Sequence, residues 1–286
     1  MLNVLVTGGA GFIGSNLCKI LVENNYKVTS LDNYSTGLVA NHIDGVEYIN
    51  YDCCDIGLLS PKFDTIFHLG EYARVESSFT DIDLVFEKNL SNLYQVLKFT
   101  KNCSAKLIYA GSSTKFAKYC NGDIESPYAF IKTKCTEIVG QYSKWAGINY
   151  AITYFYNVYG PNEIGRGKYA TVVEKFLTLF DDGATSVPVT LPGLQERNFT
   201  HVLDIVEGLI LVAEKGQGDN FCIGSDERLS IIKLANLIGL SPDLMPEKIG
   251  NRVSARLDTY NLSRLGWVCK LSIRDYINKR ITIKKG

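Results

Sequence analysis

The sequence is poor in the features that mark membrane, zinc-binding and nucleic-acid-binding proteins. Its 286 residues contain no apolar run near the ~20 residues that a membrane-spanning helix needs. Only three histidines are present, and none of the eight cysteines belongs to a Cys-x-x-Cys pair, so no metal site is predicted. The 30 basic residues balance 30 acidic ones, which argues against sequence-independent nucleic-acid binding.

Signs of secretion are also lacking. The N-terminus has no basic segment of the kind that begins a signal peptide, and it runs from a short apolar stretch into a glycine turn. We therefore expect reduced thiols rather than a disulfide framework. The expected location is the cytoplasm, and no membrane partner is expected.

Strand-like and helix-like segments alternate over the first two thirds of the chain. The predicted strands are Leu2–Thr7, Tyr26–Leu31, Val46–Tyr51, Asp64–Leu69, Lys106–Ala110 and Asn149–Tyr156, and the predicted helices between them are Phe12–Asn24, Asp81–Lys101 and Pro127–Trp145. This alternation predicts an α/β fold with a doubly wound parallel sheet of the Rossmann type. After Gly160-Pro161 the segments become shorter, which indicates a smaller, discontinuous α/β lobe in the C-terminal part.

A glycine-rich turn joins the first predicted strand to the first helix. Gly8, Gly11 and Gly14 are spaced to allow a tight turn, a close approach of a pyrophosphate, and close packing of the helix on the sheet. The helix that begins at Phe12 and Ile13 offers free amides and the positive end of its dipole to phosphates. The turn therefore predicts a dinucleotide site.

Acidic residues end the next two strands. Asp32 follows the second strand, where a carboxylate accepts hydrogen bonds from a ribose 2′-hydroxyl and repels a 2′-phosphate, so NAD is favoured over NADP. Asp52 ends the third strand and is placed to reach the adenine. Asn33, Cys53 and Leu69 are neighbouring candidates for cofactor contacts.

Three residues form a candidate catalytic set. Tyr128 and Lys132 lie four residues apart and so share one face of a predicted helix. A neighbouring lysine and the positive nicotinamide ring both favour the phenolate, which makes this phenol a candidate acid/base. Ser112 follows the fifth strand, at the sheet edge where ligands bind, and can hydrogen-bond the substrate oxygen whose proton Tyr128 removes.

Together these motifs resemble the extended short-chain dehydrogenase/reductases, and within them the nucleotide-sugar epimerase/dehydratase family. The resemblance rests on Thr7–Gly14, Asp32, Ser112 and Tyr128/Lys132, and it continues through Asn89, Tyr156–Pro161, Arg197–Val202 and Leu265–Trp267. It implies NAD as the cofactor and a nucleotide-diphosphate sugar as the substrate. It also implies an NAD-binding domain over residues 1–160, to which about 197–223 return, and a sugar-nucleotide lobe over 161–196 and 224–286.

The resemblance further implies which residues contact the ligands. Asn89 is implied in cofactor binding. Asn157, Arg197 and Arg252 are implied in binding the substrate diphosphate, a group that a planar guanidinium suits. Ser113 and Lys168 are further candidates for substrate binding.

The family's dimers commonly use the two helices predicted near Asp81–Lys101 and Pro127–Trp145. The resemblance therefore implies a homodimer. Four apolar residues of the first helix fit either that interface or packing on the sheet: Leu90, Leu93, Val96 and Leu97.

One departure from the family lies after the fourth strand. The family usually has two alanines after its His-Leu pair, whereas this chain has Gly70-Glu71, followed by Arg74. Two hypotheses stay open. The carboxylate and the guanidinium contact an unusual sugar, or they pair with each other.

The residues after Ser112 bear on the type of reaction. In this family the base takes the proton of the sugar C4 hydroxyl while hydride passes to NAD. Dehydratases follow the catalytic hydroxyl residue with Asp-Glu, and decarboxylases have a Glu two residues after it, but this chain has Ser113 and Thr114. The leading hypothesis is therefore a 4-epimerase, with a C4 dehydrogenase that releases the ketone as the alternative. A cofactor-sensing regulator is the alternative of a different class, which the retained Tyr128 and Lys132 disfavour.

Overall fold

The computed structural model describes residues 1–118, 125–247 and 254–285 of the chain. The strands are β1 Asn3–Thr7, β2 Lys27–Leu31, β3 Val46–Ile49, β4 Thr65–His68, β5 Lys106–Ser112, β6 Ala117–Lys118, β7 Tyr150–Phe155, β8 Val158–Tyr159, β9 Ser186–Thr190, β10 Glu196–Asn198, β11 Thr200–His201, β12 Gly218–Ile223, β13 Arg228–Ser230, β14 Ser241–Met245 and β15 Ser254–Ala255. The α-helices are α1 Phe12–Glu23, α2 Ile82–Val85, α3 Asn92–Cys103, α4 Pro127–Ala146, α5 Val172–Asp181, α6 Val202–Lys215, α7 Ile231–Ile238, α8 Tyr260–Ser263 and α9 Ile273–Lys285.

The central sheet has seven parallel strands in the order β3-β2-β1-β4-β5-β7-β12. The strand order reverses between β1 and β4, and in such sheets ligands bind in the crevice at the carboxyl ends of those strands. Thr7 at the end of β1 pairs with His68 at the end of β4. The predicted doubly wound parallel sheet is therefore confirmed.

Helices cover both faces of this sheet. Leu5 points towards the layer of α3 and α4, whereas its neighbours Val4 and Val6 point towards α1 and α6, as the pleat of a strand requires. All three side chains are buried, and each contributes roughly 1.5–3 kcal/mol of hydrophobic stabilisation. The near-continuous apolar strands of the sequence reflect this burial on two sides.

A third apolar cluster lies in the C-terminal part. It brings together residues of α5, α7 and α9 with strand β9, around Phe176, Val187 and Leu234. Strand β9 pairs with β14 in a separate two-stranded sheet. These features fit the predicted division into two lobes, whose boundaries stay a prediction.

The helix predicted over Asp81–Lys101 is interrupted. Residues Phe86–Ser91 form a π-helical turn between α2 and α3. The wider turn buries Asn89, and single π-turns of this kind are frequent at functional sites. Helical periodicity in the sequence does not reveal this turn, in which Asn89 hydrogen-bonds the backbone of Tyr72 in a loop outside the helix.

No helix in the described part of the chain is both long and apolar enough to span a bilayer.

Candidate active site

A cleft of about 280 Å³ opens at the carboxyl ends of β1, β4 and β5. It lies at the point where the strand order reverses. The sequence-predicted residues that line it are Gly8, Gly11, Phe12, Ile13, Gly14, Asp32, Asn33, Asp52, Cys53, Leu69, Glu71, Arg74, Tyr128 and Lys132. The candidate cofactor turn and the candidate catalytic pair therefore face one cleft.

The glycine turn is as tight as the sequence predicts. Gly8 has φ +74°, and a Cβ there would lie 3.0 Å from the backbone of Gly70. A Cβ on Gly14 would lie only 2.0 Å from the carbonyl oxygen of Gly8. Side chains are excluded at both positions, so the first turn of α1 stays open to the cleft and can present its amides to phosphates.

Asp32 is held by backbone amides at the end of β2. One carboxylate oxygen accepts a hydrogen bond from Ala10 N at 2.9 Å, and the other accepts one from Tyr34 N at 2.8 Å. A carboxylate has about four acceptor positions, so capacity remains for ribose hydroxyls. The buried negative charge of Asp32 repels the 2′-phosphate of NADP, so the site fits NAD.

Asp52, which precedes the 3₁₀ turn after β3, is held by a polar network. Asn33 and Asn92 each donate to its carboxylate over 2.6 Å, and Lys88 Nζ lies 3.0 Å from it. Burial raises the pKa of Asp52, but the hydrogen bonds from Asn33 and Lys88 outweigh it and lower the pKa to about 2. Lys88 and Asn92 were not predicted from the sequence as residues of the site. Their spacing of four residues, on either side of the predicted Asn89, places both on one face of the predicted helix and could have indicated them.

The start of α4 positions the candidate base. Ser126 caps the helix by accepting a hydrogen bond from Ala129 N at 3.2 Å, and Pro127 supplies the φ angle of the first helical residue. Tyr128 therefore lies in the first turn, half-buried, and Lys132 lies one turn later on the same face. Both side chains line the cleft.

The ammonium of Lys132 is fully engaged inside the protein. It donates to the carboxylate of Glu71, to the hydroxyl of Tyr109 at 2.8 Å and to the carbonyl oxygen of Ala110. The side chains of Glu71 and Lys132 are each only 4% exposed. Three partners match the three N–H donors of a lysine.

Glu71 is correspondingly satisfied. Its second oxygen accepts a hydrogen bond from the Tyr109 hydroxyl at 3.0 Å and lies 3.7 Å from His68 Nε2. Burial raises the pKa of Glu71, whereas the charge and hydrogen bond of Lys132 oppose this rise. Burial lowers the pKa of His68 to about 3, so that imidazole is neutral at pH 7.

The hypothesis that Glu71 pairs with Arg74 is wrong, because Lys132 takes the carboxylate. Arg74 donates instead to the carbonyl oxygens of Ala73, at 2.7 Å, and of Tyr169. Its guanidinium carbon lies 5.7 Å from the centre of the Tyr169 ring. Burial lowers the pKa of Arg74.

Ser112 ends β5 at the margin of the cleft. Its neighbour Gly111 lines the cleft, whereas Ser112 is absent from the described lining. Thr114 donates its backbone amide to Ser112 Oγ at 3.3 Å, and its own hydroxyl lies 2.9 Å from the same oxygen. The Ser112 hydroxyl is thus oriented by the turn that follows β5.

Residues 4–224 match the sequence profile of the family described as "NAD dependent epimerase/dehydratase family". The chain belongs to this family. The resemblance predicted from the motifs is confirmed, and the family's dependence on NAD agrees with the glycine turn and Asp32.

Relatives within the epimerase/dehydratase family carry out different reactions. The chain is 29% identical to the dTDP-D-glucose 4,6-dehydratase of Homo sapiens, with 97% of this chain and 88% of the relative covered. It is 30% identical to a UDP-N-acetyl-alpha-D-glucosaminuronate decarboxylase of Bacillus cytotoxicus, with 81% and 77% covered. Its fold matches the structure of Thermus thermophilus UDP-glucose 4-epimerase in complex with NAD at a TM-score of 0.89, with 25% identity, over 100% of this chain and 99% of the other.

Two residues predicted to contact ligands have partners within the epimerase/dehydratase fold. Asn89, predicted to bind the cofactor, is absent from the described lining of the cleft and binds the backbone of Tyr72. Lys168, predicted to bind substrate, pairs with Asp81. Ligand contacts of both residues stay predictions.

The remaining substrate-binding candidates also stay predictions. Ser113 is buried beside Ser112. Asn157 donates to the carbonyl oxygen of Asn198 at 2.9 Å, and Arg197 donates to the carbonyl oxygen of Glu196 at 3.1 Å. Arg252 lies outside the described residues.

Proposed function

We propose that this protein is an NAD-dependent nucleotide-sugar 4-epimerase, which oxidises the sugar transiently at C4 to a 4-keto intermediate. The observation that carries the proposal is the meeting of the dinucleotide turn with Tyr128 and Lys132 in one cleft. The family supports a nucleotide sugar as the substrate class. The lobe over residues 161–196 and 224–286 is the proposed binding region for the nucleotide.

Each catalytic role follows from the chemistry of its side chain. Tyr128 takes the proton of the C4 hydroxyl and later returns it, while Ser112 hydrogen-bonds the same oxygen and keeps it aligned. When bound, NAD supplies a hydride acceptor that can return the hydride to the sugar. Positioned acid–base catalysis of this kind contributes about 10²–10⁴-fold to a rate.

The carboxylates of the cleft support epimerisation over dehydration. Loss of water needs an additional proton donor and acceptor near the sugar, and Ser113 and Thr114 stand where dehydratases have Asp-Glu. Asp32 and Asp52 follow β2 and β3, three or more strand spacings from β5, which is roughly 14 Å or more. Glu71 is closer, but Lys132 and Tyr109 occupy its oxygens.

The test is a panel of UDP-, dTDP-, GDP- and CDP-sugars incubated with the purified protein and followed by proton NMR. The proposal expects C4 epimers to appear without added cofactor. Tyr128→Phe should lower kcat at least a hundredfold. Tyr142→Phe, which removes a hydroxyl from the same helix outside the cleft, should leave kcat unchanged.

The alternative activity is a C4 dehydrogenase that releases the 4-keto sugar. It uses the same Ser112, Tyr128 and Lys132, and it differs in the fate of the reduced cofactor. Steady accumulation of free NADH with substrate would identify this alternative. A 4,6-dehydratase would instead yield a 6-deoxy-4-keto sugar in the same NMR spectra.

We also propose a homodimer formed by the region of α3 and α4. Leu93, Val96 and Leu97 belong to the core, so for these three residues packing on the sheet is the correct alternative. Exposed aromatic side chains remain on the outer surface of this region: Phe86, Tyr94 and Phe130. Light scattering should report a dimer that Phe130→Glu weakens and that Val268→Glu, on an exposed residue elsewhere, leaves intact.

A further inference from the structure

The charge of Lys132 is neutralised where it lies. Its partner Glu71 is a carboxylate that is equally buried, and Tyr109 bridges the two groups through its hydroxyl. Buried ion pairs persist only where such additional hydrogen bonds satisfy both ions. A cation beside an anion acts on a third group as a weak dipole, so Glu71 offsets most of the effect of Lys132 on Tyr128.

Arg74 is in the opposite situation. Its two hydrogen bonds to described residues end on uncharged backbone carbonyls, those of Ala73 and Tyr169. The charge of Arg74 interacts with the carboxyl group of Glu163, and burial raises the pKa of Glu163 to about 8, so this group is largely protonated at pH 7. The guanidinium lines the same cleft as Tyr128, and a phenolate at Tyr128 would raise the pKa of Arg74.

We propose that Glu71 is a positioning residue that holds and neutralises the ammonium of Lys132, and that Arg74 supplies the positive charge that favours the phenolate of Tyr128. The net charge of these three ionic groups is then +1, the same as that of a lysine alone. This rests on the proposed role of Tyr128 as the acid/base. Glu71 and Arg74, which both differ from the usual residues of the family, therefore offset each other's charge.

In the described part of the chain, the titratable groups that interact with the ion pair are uncharged at pH 7. His68 is neutral for the reason given above. Burial raises the pKa of Tyr109 well above its ordinary value, and burial raises the pKa of Cys135 to about 12. Around Arg74, burial and the hydrogen bond to Asp81 raise the pKa of Tyr72.

The test measures the phenolate of Tyr128 directly, with NAD bound and no sugar present. Near-ultraviolet absorbance is followed against pH, and the spectrum of Tyr128→Phe is subtracted. Glu71→Gln should move the titration midpoint about one unit to lower pH, because the charge of Lys132 is no longer offset. Arg74→Gln should move it about one unit to higher pH, whereas Arg74→Lys, which keeps the charge, should hold it near the wild-type value.

Two double variants sharpen the test. Glu71→Gln/Arg74→Gln should return the midpoint close to that of the wild type. Glu71→Gln/Lys132→Gln removes both members of the neutral pair and should also leave the midpoint nearly unchanged. It replaces Glu71→Gln if the single variant does not fold. Glu137→Gln, which breaks an exposed pair with Lys134 on the same helix, is the matched control and should cause no shift.

Three results would overturn the proposal. The first is a midpoint that does not move in Arg74→Gln. The second is a large upward shift in Glu71→Gln/Lys132→Gln, which would assign the charge effect to Lys132. The third is loss of activity in Glu71→Gln at every pH with the midpoint unmoved, which would make the role of Glu71 purely structural. If Tyr128→Phe leaves the titration intact, the proposed function fails instead, since Tyr128 is then not the ionising group.

Discussion

Asn89 binds the backbone of Tyr72 through both ends of its side-chain amide. Its Oδ1 accepts a hydrogen bond from Tyr72 N at 2.7 Å, and its Nδ2 donates to the Tyr72 carbonyl oxygen at 3.0 Å. Tyr72 belongs to the loop that carries Glu71 and Arg74. The π-helical turn of Phe86–Ser91 thereby anchors one wall of the cleft.

Replacing Asn89 by leucine keeps much of the volume and removes both hydrogen bonds. Two buried backbone groups then lose their partners, so we expect the free energy of unfolding to fall by about 2–4 kcal/mol. Urea denaturation measures the change. Asn278→Ala, on the exposed surface of α9, should change stability by less than about 0.5 kcal/mol. An Asn89→Leu protein as stable as the wild type would show that the loop relaxes without cost.

Asp32→Asn should weaken NAD binding and narrow the preference for NAD over NADP. A hydrogen bond to a charged group is worth about 1.5–3 kcal/mol, which corresponds to roughly a tenfold or larger loss of affinity. Calorimetric titration of the cofactor-free protein with NAD and with NADP measures both effects. Asp44→Asn, an exposed carboxylate nearby in the sequence, is the control. If Asp32→Asn prefers NAD over NADP as strongly as the wild type does, other residues set this preference.

Asp52 should make stability depend on pH in the acid range. Its folded pKa of about 2 lies below the ordinary value of 3.8, despite burial, because Asn33 and Lys88 hydrogen-bond the charged form. The stabilisation is therefore complete above about pH 4 and is lost as the pH falls towards 2. Denaturation at a series of pH values should show this loss in the wild type and not in Asp52→Asn. If the stability of the wild type and that of Asp52→Asn depend on pH in the same way, Asp52 is not the group responsible.

Glu163 should make the stability of the protein fall as the pH rises, whereas Asp52 makes it rise. One of its oxygens accepts from Gly160 N at 3.2 Å, and the other is buried without a partner among the described residues. Burial raises its pKa from 4.5 to about 8, so the stability tied to its bound proton is full below about pH 4.5 and is lost as the pH rises through 8. Glu163→Gln should therefore gain stability relative to the wild type between about pH 5 and pH 8. If the stability of both proteins changes with pH at the same rate over this range, Glu163 does not contribute to the pH dependence.

Several parts of the site could be read from the sequence because they are local. The glycine turn, the acid at the end of β2, and the shared helical face of Tyr128 and Lys132 each depend on residues within one turn or one strand end. The steric limit at Gly14 and the four-residue spacing that places two side chains on one helical face do not depend on the rest of the fold. The alternation of strands and helices likewise predicted the parallel sheet, since burial on two faces demands apolar strands.

The amino-acid pattern was thus enough to predict the fold class, the family and fourteen of the residues that line the cleft, which is fewer than half of its lining. The partners of the buried charges depend instead on how distant segments of the chain pack together. Glu71 and Lys132 are 61 residues apart, and they meet because β4 lies beside β5 and α4 packs on that part of the sheet. The π-turn at Asn89 and the network around Asp52 have the same origin. A buried polar group takes whichever partner the neighbouring strands and helices bring within hydrogen-bond distance, and no local pattern specifies that choice.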